Sequence, residues 1–205
     1  MKTLTKWMFH PFDYIAGLPA LLIGFGVMAI QAAGSYFIGV HNDGVLDTHV
    51  GPKTSLLYCI IEQPIPWVIF FILLYISGRI FSKSSSIRII DVAGTTAFAR
   101  IPAIIQLGAG LLLVKFLSYS KEFTDQLYHH QIPDPHTLST ITLIGVICVW
   151  PFALAALVWE VYLFYQAYSI SCNIRGKKAI ISFIVVIIIA EILSKVALNL
   201  IQNQI

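Results

Sequence analysis

Arg100 is the residue of this sequence best placed to do chemistry, because it interrupts a 26-residue apolar stretch, 92–117, that otherwise reads as one membrane-spanning helix. A cation near the middle of a bilayer costs roughly 2.5–3.5 kcal/mol, so it turns toward a bundle interior and finds an anion or freed carbonyls. Glu160 and Glu191, on two other apolar stretches, are the natural anions. Arg100 lies nine residues after Asp91, Glu160 twelve before Cys172 and Glu191 thirteen after Lys178, which places all three near one depth. Gln106 follows Arg100 by a turn or two, and Lys195 stands four residues after Glu191, where the two can pair along a helix. The set Arg100, Gln106, Glu160, Glu191 and Lys195 could hold helices in register as polar glue. Alternatively it could line a path for protons, ions or an anionic solute. Pro102 adds to the site: it cannot donate to the carbonyl of Phe98, and the guanidinium is expected to serve that oxygen instead.

Other chemistry finds less support. His129, His130 and His136 share a segment with Asp125 and Asp134, but no zinc spacing such as H-E-x-x-H occurs, so a solvated loop is expected. Cys59, Cys148 and Cys172 form no metal-like pair and are expected as buried free thiols. No nucleophile elbow, phosphate-cradling loop or paired-acid signature is present, so no catalytic residue, metal or cofactor is expected. Basic residues flanking the apolar runs are explained by topology and anionic lipid, and nucleic acid is not an expected partner.

The elements that must position these residues are legible in composition. With 58% hydrophobic and 11% charged residues, the chain is far more apolar than a soluble domain, at about 45–50% and 25%. A soluble catalytic domain is excluded. Five runs, 15–40, 56–81, 92–117, 138–169 and 179–201, are each long enough to cross about 30 Å of hydrocarbon. Open strands cannot satisfy their backbone in lipid, so the expected fold is all-α: an integral membrane bundle of five transmembrane helices forming one domain, 15–205, after an interfacial lead-in, 1–14. Lys2 and Lys6 precede the first run as in a signal peptide, but that run is too long for one and leads into further helices, so it is read as a retained span.

Pro11 limits regular helix in the lead-in. Residues 41–55 read as a turn-rich loop, Glu62-Gln63-Pro64-Ile65-Pro66 interrupts the second run near its beginning, and Trp150-Pro151 predicts a kink in the fourth. Eight basic residues (Lys2, Lys6, Arg79, Lys83, Arg88, Arg175, Lys177, Lys178) gather on the N-terminal side, against four (Lys53, Lys115, Lys121, Lys195) on the other. That bias predicts a cytoplasmic N-terminus and a C-terminus outside. The small-residue pairs Ala29/Ala33, Ala93/Ala97 and Ala99/Ala103 favour close helix packing within the bundle, with self-association as the alternative.

Three stretches carry a family resemblance: His10-Pro11-Phe12-Asp13-Tyr14-Ile15; Asp91-Val92-Ala93-Gly94-Thr95-Thr96-Ala97-Phe98-Ala99-Arg100-Ile101-Pro102; and Trp159-Glu160 through Tyr168 to Asn173-Ile174-Arg175-Gly176-Lys177-Lys178-Ala179. In these the chain resembles the Yip family, named for interaction with Ypt/Rab GTPases, and specifically its bacterial branch. The resemblance implies five spans in a bacterial cytoplasmic (inner) membrane and a non-enzymatic scaffold, interaction or membrane-organising role, with the bilayer and other membrane proteins as partners. A small transporter or channel component is the alternative. Eukaryotic relatives bind small GTPases through a cytosolic N-terminal region; the Asp-Leu-Tyr-Gly-Pro motif of those relatives does not occur here, so GTPase binding is not carried over.

Overall fold

The apolar runs fold into five helical segments long and apolar enough to cross a membrane: Gly17–Ile38, Leu56–Phe81, Ile89–Leu117, Thr140–Ser171 and Lys177–Gln202. The computed structural model describes residues 2–82, 86–129, 131–132 and 134–202. In chain order the elements are α1 (Lys2–Phe9), a 3-10 turn (Pro11–Asp13), α2 (Gly17–Ile38), β1 (Val40–Asn42), β2 (Thr48–Val50), α3 (Leu56–Ile61), α4 (Pro64–Phe81), α5 (Ile89–Phe98), α6 (Ala103–Leu117), α7 (Lys121–Tyr128), a second 3-10 turn (Pro135–Thr137), α8 (Thr140–Ser171) and α9 (Lys177–Gln202).

Local chemistry sets the ends of these helices. Gly39 closes α2 in the left-handed region at φ 81°, and its amide donates to the Ser35 carbonyl. Pro64 opens α4, where a missing N–H leaves no bond unmade. Ser139 caps α8 by accepting from the Thr142 amide at 3.2 Å.

Helix α5 is the centre of the bundle, with every residue from Val92 to Phe98 buried. Its Val-Ala-Gly-Thr-Thr-Ala run is narrow enough for neighbours on all sides, and Thr95 and Thr96 return their hydroxyls to the Asp91 and Val92 carbonyls at 2.7 Å each. The closest approach is to α2: Gly24 faces the backbone of Ala97, and Gly94 lies against the carbonyl of Gly17. Helix α6 packs on α8 and α4 on α9. A buried apolar cluster including Phe70, Leu74, Leu163, Phe164, Tyr168 and Phe183 fills the space between α4, α8 and α9.

Four expectations need correction. The fold is mostly helical as expected, but residues 41–55 are more than a turn-rich loop, because β1 and β2 pair antiparallel in the register Val40↔Val50, His41↔His49, Asn42↔Thr48. Three-residue strands are too short to show alternation, and the turn-forming residues around them hid the pairing. The second segment is interrupted where Glu62-Gln63-Pro64 predicts, between α3 and α4, but the third, expected as one span, is also broken: α5 and α6 are separated at residues 99–102. The lead-in does form a helix, α1, which ends before Pro11 and docks on α8 through a Trp159 Nε1 bond to the Met8 carbonyl at 2.9 Å. Ala29 and Ala33 face outward and Gln31, Ala32, Gly34 and Ser35 inward, so the α2 interface lies on a different stripe from the predicted one. The other two small pairs, Ala93/Ala97 and Ala99/Ala103, are buried as expected. Helix α8 continues through Pro151 from Thr140 to Ser171.

Candidate functional site

The breaks in the second and third segments meet around Arg100. Residues 99–102 leave the α-helical pattern because Pro102 has no N–H to offer. The chain turns through i,i+3 bonds instead, Ile101 N to the Phe98 carbonyl at 3.1 Å and Ala103 N to the Arg100 carbonyl at 3.0 Å. The Phe98 oxygen is therefore served by a backbone amide, not by the guanidinium as the sequence had suggested. Arg100 reaches the other break, where its Nη1 donates to the Gln63 carbonyl at 3.3 Å.

This side chain is enclosed, at 2% exposure for Arg100, beside Glu160 at 3% and Glu62 at 0%. Glu160 first, and Glu62 second, are the anions electrostatically coupled to the guanidinium. Among the described residues no carboxylate oxygen comes within 4.0 Å of it, so the compensation is through space. Gln106 instead makes the short contact, donating from Nε2 to Glu160 Oε2 at 2.6 Å and tying α6 to α8. The Arg100 Nε–H is buried without a hydrogen-bond partner among the described residues, an arrangement that ordinarily has a reason.

The polar network continues toward the hairpin. Gln63 Nε2 donates to Glu62 Oε1 at 3.1 Å, and Asn42 Nδ2 on β1 donates to Gln63 Oε1 at 3.4 Å. His41 lies beside Glu62, Nδ1 to Oε2 at 3.0 Å, while its Nε2 meets the Pro52 carbonyl at 2.9 Å. Burial would lower the His41 pKa, but the Glu62 carboxylate and the Pro52 carbonyl outweigh it and hold the imidazole above its ordinary value.

Arg100, Gln106 and Glu160 are thus brought together as expected, and Glu191 and Lys195 are not. The latter two do pair at i,i+4, 3.5 Å apart, but they face the hairpin turn. Glu191 Oε2 accepts from the Leu46 amide at 3.0 Å, and Lys195 Nζ reaches Asp47 at 2.7 Å. Equal depth along a helix does not fix which face it presents, and α9 turns this stripe away from Arg100. On the hairpin His49 Nδ1 lies 3.8 Å from Asp47 Oδ1 and holds that carboxyl well below the usual range, with Lys195 adding to the effect; Asp47 in turn raises the His49 imidazole.

Sequence reading passed over Glu62, Gln63 and His41 as members of the core. A charged residue between the apolar runs of α3 and α4 was the available signal for Glu62; nothing local pointed to His41, whose role depends on hairpin pairing. His129 and His136 are exposed, in keeping with a solvated segment, and His130 lies outside the described residues. Cys59 and Cys172 are buried as expected, whereas Cys148 is exposed on the outward face of α8. A second, uncharged cluster joins α4, α8 and α9: Tyr168 Oη contacts Ser77 Oγ at 2.7 Å and Ser182 Oγ at 2.9 Å. Compared with known proteins, the chain matches no family model, no curated protein and no solved structure.

Proposed function

We propose that this chain is a non-catalytic five-span protein of a bacterial cytoplasmic membrane, similar to the bacterial branch of the Yip family, that serves as a scaffold or membrane-organising partner for other membrane proteins. The supporting observation is the enclosure of Arg100, Glu160, Gln106 and Glu62, each at most 6% exposed, with bonds that run between helical segments. Such bonds fix helix register, and a stable bundle with a broad apolar exterior is what a lateral interaction partner needs. Small-GTPase binding is not part of this proposal.

The proposed topology places α1 and the α4–α5 connection in the cytoplasm, and α7 outside, following the bias of Lys and Arg. Cysteines introduced at Ser86 should be modified by an impermeant maleimide only after the membrane is opened, and those at Asp125 in intact spheroplasts. The reverse pattern would reject the orientation.

One observation favours transport as a second reading: two interrupted helices meet at an ionisable residue whose Nε–H has no partner among the described residues, a geometry transporters use to bind solutes. Liposome flux separates the two. Purified protein should move neither protons nor small anions faster than empty vesicles. Flux that disappears in Arg100→Ala while the protein stays folded would replace the scaffold with a conduit.

A further inference from the structure

We propose that His41, Cys59 and Glu62 form a binding site for a divalent ion of intermediate softness, Zn2+ being the expected occupant. The three are brought together by separate features. Hairpin pairing carries His41 inward, to 4% exposure, beneath the turn. Cys59 and Glu62 stand at i,i+3 about the end of α3, on one face of that helix. One ligand atom from each lies within 4.8 Å of the others, and all three residues are buried.

The hydrogen bonds around this group give it the character of a ligand set. A carbonyl can only accept, so the 2.9 Å contact with Pro52 O puts the ring hydrogen on His41 Nε2. In the neutral imidazole the Nδ1 lone pair then points at Glu62 Oε2, 3.0 Å away, which as a carboxylate is also an acceptor. Two facing lone pairs at that separation require a cation between them, either a proton or a metal ion. Cys59 supplies what a proton alone would not need: a sulfur ligand on the same spot.

Each candidate ligand also has an outer partner. Pro52 O orients the His41 ring, Gln63 Nε2 donates to Glu62 Oε1 at 3.1 Å, and the Thr54 hydroxyl lies 3.3 Å from Cys59 Sγ, placed to donate to a thiolate. One imidazole, one thiolate and one carboxylate suit Zn2+, and the two anions cancel its charge in a buried pocket. Zinc–ligand lengths of about 2.0–2.3 Å in a tetrahedron put ligand atoms roughly 3.3–3.8 Å apart, so His41 Nδ1 and Glu62 Oε2, now 3.0 Å apart, part by a few tenths of an ångström while the longer separations, at most 4.8 Å, close by up to about 1 Å. Three protein ligands leave the fourth position open to water or another group.

The test uses the full chain in detergent, with Cys148→Ser and Cys172→Ala so that Cys59 is the remaining thiol, stripped with chelator and titrated with Co2+ and then Zn2+. One Co2+ per chain is expected, with the visible d–d envelope of tetrahedral coordination and a sulfur-to-cobalt charge-transfer band, both removed stoichiometrically by Zn2+. Glu62→Gln and Cys59→Ser should each weaken Zn2+ by more than the roughly 100-fold that loss of an outer partner can cost, and Thr54→Val by about 10-fold. The charge-transfer band is read on a folded chain that keeps all three ligands, so the test survives misfolding of either ligand variant. Absence of that band, or stoichiometric binding that persists in a folded Cys59→Ser and is lost in His129→Ala/His136→Ala, would overturn the site and leave His41 and Glu62 sharing a proton.

Discussion

Arg100→Ala is expected to lower unfolding free energy by about 3–5 kcal/mol, the range for removing one partner from a buried charge arrangement. The substitution leaves Glu160 facing a cavity without the guanidinium, leaves Glu62 with His41 alone, and removes the donor that joins the α5–α6 break to Gln63. SDS titration or thermal unfolding in a mild detergent reads the loss. The charge argument makes a sharper demand of the double variant Arg100→Met/Glu160→Gln, which removes one charge of each sign while keeping volume. It should recover a large part of the stability, because a well-packed neutral replacement of a buried pair is often close to neutral. If single and double variants are equally destabilised, packing rather than compensation explains Arg100.

Gly94→Val should be the most damaging change that involves no charge. A side chain at this position of α5 would strike the Gly17 carbonyl, and backbone cannot rotate aside as a side chain can. Helices α2 and α5, the most extensively packed pair in the bundle, would have to separate. Overpacking costs about 1–3 kcal/mol where neighbours can yield, and the upper end or beyond is expected here. Gly26 lies on the same α2 helix with open space where its Cβ would be, so Gly26→Ala should be neutral or stabilise by up to about 1 kcal/mol. The same unfolding assay compares them, and equal effects at the two glycines would refute the close-approach account.

What could be read in the chain followed from how local each cause is. Five apolar runs fix five helical segments because length and composition decide them one at a time. The Gln106–Glu160 contact was within reach because a buried carboxylate needs a donor near its own depth. The rotation of α9, which sends Glu191 to Leu46 rather than to Arg100, depends on packing against α4 and leaves no mark on charge spacing. The same holds for α2, where Ala29 and Ala33 have the favoured spacing but the interface runs through Gly24. His41 was hidden for another reason: its neighbours Pro52, Cys59 and Glu62 become neighbours only after two three-residue strands pair, and strands that short carry almost no pattern.

The bonds between the hairpin and the last helix also set an order of assembly. The Leu46 amide and the Asp47 carboxylate are made well before their partners Glu191 and Lys195, 145 residues before in the case of Leu46 and Glu191. Chains are synthesised at about 5–20 residues per second, so these groups spend seconds waiting, held by water or by a temporary companion. The turn between the strands is thus a latch that closes only once α9 has been made. Nascent chains halted before α9 would display it open.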